Sequence, residues 1–96
     1  MEVVGLEVLA VFKAAHTDAS SQIDAWLQEV VSARWENPNQ LKAQFRAASL
    51  VGRGRVVFNI RGNRYRLLVA VAYGVGVVRV LAAGTHEEYD SWDLTE

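Results

Sequence analysis

The sequence contains no cysteine, which excludes disulfides and thiolate metal sites and makes a reducing compartment the natural setting. No apolar run approaches the ~20 residues of a membrane span, so no membrane partner is expected. Glu2 stands where a secretory leader would carry Lys or Arg, and no cleavage pattern follows, which points to the cytoplasm. Gly74–Gly76 is not a G-x-G-x-x-G and no strand–helix–strand unit surrounds it, so a dinucleotide fold is not expected. Histidine is scarce, with only His16 and His86. His86, Glu87, Glu88 and Asp90 have the composition of a metal site, but adjacent acids on a helix point apart; no metal and no cofactor are expected. Internal repeats and low-complexity segments are also missing.

What is present is a 96-residue chain, about half of it apolar, which suits one globular domain over residues 1–96 with a modest core. Its net charge of -1 hides an asymmetry. Residues 1–33 hold five acids against Lys13, and residues 67–96 hold five against Arg79. Between them, Arg34, Lys42, Arg46, Arg53, Arg55, Arg61, Arg64 and Arg66 are offset only by Glu36. Arginine suits planar, bidentate phosphate contacts, so this band suggests a local polyanion site and not general nucleic-acid coating.

The stretch from Val56 to Asp90 reads as a three-stranded meander ending in a short helix. Val56–Ile60 and Tyr65–Tyr73 flank Gly62-Asn63, a pair that tolerates positive φ and suits a tight turn. Closure there puts Arg61 opposite Arg64, Ile60 opposite Tyr65, Asn59 opposite Arg66 and Phe58 opposite Leu67. Alternation assigns Val56, Phe58, Ile60, Tyr65, Leu67 and Val69 to a core face, and Arg55, Val57, Asn59, Arg61, Arg64, Arg66 and Leu68 to the other. Arginines facing each other on a sheet either ask for an anion or splay into water. A third strand, Val77–Ala83, joined by a two-residue turn at Gly74-Val75, places Ala70 opposite Arg79 and Leu68 opposite Leu81, with Arg79 and Leu81 on the face of Arg66. Thr85 and Glu88 form a capping box for a helix starting at His86, with His86 and Tyr89 on one side and Asp90 at i+4 from His86.

Upstream, Glu2–Val4 suits a short strand. Leu6–Ala15 has helical spacing, with Val8, Val11, Phe12 and Ala15 inward. His16-Thr17-Asp18 breaks the pattern and supplies capping side chains. Ser20–Trp35 predicts a second helix with Ile23, Trp26, Leu27, Val30 and Val31 inward and a capping box of Ser21 with Asp24. Asn37-Pro38-Asn39 ends that helix and starts a turn, Leu41–Ala47 is a short helix with Leu41 and Phe45 inward, and Ser49–Gly54 is a loop.

These residues suit RNA cleavage without a metal. The 2′-oxygen of the RNA attacks the neighbouring phosphorus, which requires cations for the phosphoryl charge and groups to move two protons. Arg66, with Arg64 or Arg79, supplies the cations. His86 is the proton-transfer candidate, since histidine is the residue type that titrates nearest neutrality. Tyr89 can stack on a base, position it or share the proton transfer, and Asn59 can hold a phosphate, a sugar or the guanidinium.

VVFNIRGNRYRLLVAVAY followed by GTHEEYD resembles the HigB branch of the RelE-like toxins of type II toxin–antitoxin systems. Trp26, Trp35, Pro38, Leu41-Lys42, Phe45 and Ala48 extend the likeness upstream, so it covers nearly the whole chain. The resemblance implies an α+β fold, with two N-terminal helices packed on a curved, mainly antiparallel sheet and a short C-terminal helix. It implies a ribosome-dependent mRNA endonuclease with no metal or cofactor, acting on mRNA in the 70S ribosome. A cognate antitoxin, in this branch usually a helix-turn-helix HigA-like protein, holds it in a hetero-oligomer. Asn59, Gly62, Asn63, Tyr65 and Arg66 match the hairpin motif, and Thr85, His86, Glu88, Tyr89 and Asp90 the closing one. Arg66, His86, Tyr89, Asn59 and Arg79 are the expected catalytic set, with Arg64, Arg61, Asn63, Arg55 and Lys42 binding RNA. Two positions depart from the family pattern: Leu81 stands where an arginine is common, and Ser91 follows EYD where a cation is frequent. Both lower the positive charge near the expected scissile phosphate, which fits a weakened or non-cleaving RNA- or ribosome-binding member as the alternative.

Overall fold

Period-two alternation in the second half of the chain builds the sheet, and two amphipathic helices from the first half cover one side of it. The computed structural model describes residues 1–92 and Leu94. Its strands are β1 (Glu2–Val4), β2 (Ser49–Gly52), β3 (Arg55–Ile60), β4 (Tyr65–Ala72) and β5 (Val77–Thr85), in spatial order β1-β5-β4-β3-β2. β1 runs parallel to β5, and the remaining pairs are antiparallel. The helices are α1 (Leu6–Ala15), α2 (Ser20–Ser32), α3 (Pro38–Gln44) and α4 (His86–Asp90). This is the expected α+β, RelE-like architecture: β3-β4-β5 is the expected meander and β1 the expected short strand, with β2 added at the edge of β3.

The core face is as alternation predicts. Val56, Phe58, Ile60, Tyr65, Leu67 and Val69 are all buried, together with Ile23, Trp26 and Val30 of α2. Trp26 and Phe45 each meet the Phe58 ring edge-on, at 5.3 and 5.0 Å. The indole N–H of Trp26 is buried without an acceptor among the described residues. α1 starts directly over β5 because Gly5 has φ +86 and a Cβ there would lie 2.6 Å from the carbonyl oxygen of Val80. No helix among the described residues is long and apolar enough to cross a membrane.

Several local expectations give way to tertiary packing. Leu9 and Phe12 form the buried stripe of α1, while Val11 is 72% exposed, and Val31 of α2 also faces out. α2 stops at Ser32, and Pro38 does not merely end a helix: it opens α3, with the Asn37 side chain accepting from the Gln40 N–H. Ser49–Gly52 is a strand, because the edge of β3 offers it hydrogen bonds that its glycine- and arginine-rich neighbourhood does not advertise. Ala19, not Ser21, precedes the first turn of α2, and Asp24 instead reaches across to Lys13 at 2.5 Å. His16-Thr17-Asp18 enters a 3-10 turn without any side-chain cap.

Candidate functional site

The β3–β4 register is the expected one: Ile60 pairs with Tyr65, Asn59 with Arg66 and Phe58 with Leu67. The turn, however, carries its positive φ on Arg61 (54°) and Gly62 (64°), one residue earlier than Gly62-Asn63. It closes with the Arg64 N–H on the Arg61 carbonyl at 3.1 Å. The first half of the next pairing is also as expected, with Ala70 opposite Arg79. Beyond it the register shifts, and Leu68 faces Ala82, not Leu81. Leu81 is the surplus residue of a β-bulge, 41% exposed.

The sheet face turned away from α1 and α2 therefore carries three cross-strand rows. Arg55, Ala70 and Arg79 form one. Val57, Leu68 and Ala82 form the next, with Leu81 beside it. Asn59, Arg66 and Gly84 form the row nearest the hairpin turn. The middle row is not the polar surface that alternation suggested: Val57 and Leu68 are buried, outside the main core. Trp92 and Leu94, beyond α4, lie against this face. Trp92 stands against Gly84, where an added Cβ would approach its ring to 3.1 Å, and the Leu94 carbonyl accepts from Arg55 Nη2 at 2.8 Å.

The row nearest the turn gathers most of the expected chemistry. The capping box forms as predicted, with Thr85 Oγ1 accepting from the Glu88 N–H at 3.1 Å and Glu88 Oε1 accepting from the Thr85 N–H at 2.8 Å. The His86 N–H donates to the Arg64 carbonyl at 3.0 Å, which fastens α4 to β4. Gly84 leaves the room in which Glu88 and Trp92 sit. As a result the Arg66 guanidinium lies 5.4 Å from the centre of the Tyr89 ring, and Trp92 meets that ring edge-on at 5.5 Å. Arg66 Nη1 also donates to the Asn63 carbonyl at 2.9 Å. His86, one turn before Tyr89, is exposed, with Nδ1 3.7 Å from Asp90 Oδ2. Asn59 is directly across from Arg66 and makes a long contact, 3.5 Å, to the Ala47 carbonyl. Arg66, Tyr89, His86 and Asn59 are thus brought together.

Other sequence candidates lie elsewhere. Arg79 is at the level of Ala70, four residues along β4 from Arg66 and so ~13 Å away along the strand. Arg55 shares that distant row and donates to Gly52 and Leu94. Lys42 donates to the Ala48 carbonyl from α3. Arg64 is exposed but already has a partner within the chain. Its Nη1 is 3.3 Å from Asp18 Oδ2, and the Tyr65 hydroxyl donates to both Asp18 oxygens at 2.7 and 2.8 Å. The Tyr65 hydrogen bond, followed by Arg64 and Arg61, holds the Asp18 carboxyl below its ordinary value, against a partly opposing desolvation. The anion that the facing arginines ask for is therefore supplied within the chain. Sequence reasoning missed Asp18 in this role and missed Trp92. Nothing local links Asp18 to a tyrosine so far along the chain, whereas Trp92 carried the weak signal of an aromatic just beyond EYD.

A family model for HigB_toxin, the RelE-like toxic component of a toxin-antitoxin system, matches residues 19–92. The chain belongs to the HigB toxin family. The match runs from the start of α2 through Trp92 and includes all three rows, with β1 and α1 outside it. No curated protein matches the chain significantly. As a HigB-family toxin it has a cognate antitoxin as its partner.

Proposed function

We propose that this HigB-family toxin is a ribosome-dependent mRNA endonuclease that cuts by 2′-oxygen attack without a metal. The supporting observation is the placement of Arg66 over the Tyr89 ring, with His86 one turn away on α4 and Asn59 across the hairpin. In this reading Arg66 takes the charge that gathers on the phosphoryl oxygens. The 2′-oxygen bonds to phosphorus as one of His86 and Tyr89 takes its proton, and the bond from phosphorus to the 5′-oxygen breaks as the other delivers a proton to that oxygen. Asn59 orients the phosphate or sugar. Arg61 and Asn63 at the hairpin tip contact the RNA backbone, while Arg64, tied to Asp18, fixes the tip. Arg55, Arg79 and Lys42 meet phosphates farther along the strand. The setting is cytoplasmic, on the 70S ribosome, with a helix-turn-helix antitoxin holding the toxin in a hetero-oligomer.

The test is induced expression in a bacterial host, followed by mapping of mRNA 5′ ends. New ends inside codons, lost in Arg66→Ala, support the endonuclease. Growth arrest without new ends removes it. Leu81 favours a second reading, a ribosome or RNA binder that cleaves weakly or not at all. Normal growth at high soluble expression, with the protein still on ribosomes, would select that reading.

A further inference from the structure

β2 covers only part of the edge of β3. Its pairing begins with Ser49 against Val57, so Phe58, Asn59 and Ile60 have no strand partner on that side. The orientation of the edge follows from its neighbours. The Arg64 carbonyl points to α4 and accepts from His86, so Tyr65 turns its main-chain groups the other way, toward Ile60. Alternation then directs the N–H and C=O of Asn59 outward, and the Arg61 N–H, two residues on, donates outward to the Gln22 side chain. A main-chain donor and acceptor at Asn59 thus look into open space beside α2.

That space is a cleft of about 470 Å³ between α2 and the hairpin. Its walls include Phe45 and Phe58, with Ala25 and Ala47 leaving the entrance clear. Phe45 is half-buried and lines the cleft, whereas Phe58 is sealed beneath it. The polar rim comprises the Gln22 side chain, the Asn59 main chain and Arg61. Glu29 lines the cleft as well, seven residues beyond Gln22 on α2; its Oε1 accepts from Gln44 Nε2 at 3.4 Å, which leaves Oε2 for a ligand.

We infer that this cleft binds one unstacked nucleobase of the RNA, from a nucleotide next to the phosphate at Arg66. The inference rests on the endonuclease reading above and supplies it with a base-selecting subsite. A π-face for stacking, a main-chain donor–acceptor pair and side-chain amides are the groups by which single-stranded RNA bases are held and read. Asn59 makes the connection: its side chain lies on the row of Arg66, directly across the hairpin, while its main chain opens into the cleft. A backbone phosphate at Arg66 therefore leaves a neighbouring base within reach of the β3 edge. Arg61 at the mouth carries the charge needed there, and the Glu29 carboxylate accepts from an exocyclic amine.

The test uses the full-length toxin and a 2′-O-methylated RNA trinucleotide, which cannot be cut, beside the same trinucleotide with its central base removed. Binding is followed by amide NMR titration. The intact RNA is expected to bind about tenfold tighter than the abasic one, the order of a single stacked base. It should shift the Phe45 and Asn59 amides. Ala25→Leu places a larger side chain at an exposed helical position that tolerates it and should remove the advantage of the base while keeping the affinity for abasic RNA. Ala47→Leu serves as a second block from the opposite wall. Equal binding of the two RNAs, no binding of either, shifts confined to residues away from the cleft, or an advantage that survives both leucines would each overturn the inference. Because the probe cannot be cleaved, the two readings separate. A base advantage in a protein that cuts no mRNA keeps the cleft and removes the nuclease. Cleavage of mRNA without a base advantage removes the cleft alone.

Discussion

Asp18 accepts the Tyr65 hydroxyl on both of its carboxylate oxygens, at 2.7 and 2.8 Å, across 47 positions of sequence. Arg64 completes the cluster at 3.3 Å, and the His16 ring lies 5.0 Å from that of Tyr65. The 3-10 turn between α1 and α2 is thereby joined to the hairpin that bears Arg66. Asp18 has its pKa lowered first by the Tyr65 hydrogen bond, so its contribution to stability is present above the ordinary value of 3.8 and lost as pH falls through the lower folded value. Tyr65 has its pKa raised, first by the same hydrogen bond. Its contribution is present below 10.0 and lost as pH rises through the raised value. Asp18→Asn should lower the melting temperature at neutral pH and make it less steep at both ends of the pH range. Thermal melts from pH 3 to 11 check this, and an unchanged acid limb would mean the carboxylate is not coupled to folding.

Arg66 is held by one good hydrogen bond and a ring contact, both at the surface. Arg66→Ala should therefore change stability by no more than roughly 1 kcal/mol. If it is the phosphate cation, cleavage should fall about a hundredfold or more. Ribosome-based cleavage assays beside thermal melts measure the two effects. A large loss of stability would make the residue structural.

Gly84→Ala should have the opposite balance of causes. The new Cβ would meet Glu88 Oε1 at 2.9 Å and the Trp92 ring at 3.1 Å, and Glu88 cannot retreat without giving up its hydrogen bond to Thr85. A loss of roughly 0.5–2 kcal/mol is expected from the broken cap. Tyr89 and Trp92 should then move off Arg66. Near-ultraviolet circular dichroism and cleavage should change together, and a change in neither would show that α4 has more slack than its contacts imply.

Leu81 is exposed in the bulge, so Leu81→Arg should shift stability by less than about 0.5 kcal/mol. It brings a cation nearer the row of Arg66 than Arg79 is, and cleavage should rise. Arg79→Ala, ~13 Å along the strand from Arg66, should weaken RNA binding and flatten its salt dependence while sparing the rate at saturation. Rates at saturating programmed ribosomes, with affinities at two salt concentrations, separate these effects. An equal loss of rate in Arg79→Ala would place that guanidinium at the reacting phosphate.

The legible parts of this fold were those written in a short repeat. The core face of the β3–β4 hairpin, its pairing of Asn59 with Arg66, and the Thr85–Glu88 cap each depend on residues a few positions apart, and each formed as read. The β2 strand was hidden because its identity depends on the edge of β3 and not on its own composition. The bulge at Leu81 was hidden for a related reason: alternation has no marker for an extra residue when both neighbours are small or aliphatic. The burial of Val57 and Leu68 on the outer face has no marker in a period of two, and the partner of Arg64 required Asp18 from the other end of the sequence. Of the candidate site, the motif residues were readable singly. Their grouping, and the separation of Arg79 from them, followed from the register.

The surplus residue in β5 also acts as a phase change. Arg79 and Gly84 are an odd number of positions apart, yet both pair with β4 residues on the same face. In an unbroken strand one of them would turn inward. Deleting Leu81 would make that separation even, so Val80 opposite Val69 and Ala82 opposite Leu68 would follow each other in unbroken alternation, with Arg79 and Gly84 both keeping their faces. An extra residue beside an intact bulge would instead turn either Arg79 or the start of α4 to the other side of the sheet. Among relatives with this topology, the bulge should be lost by a one-residue deletion, with insertions displaced to the turns on either side.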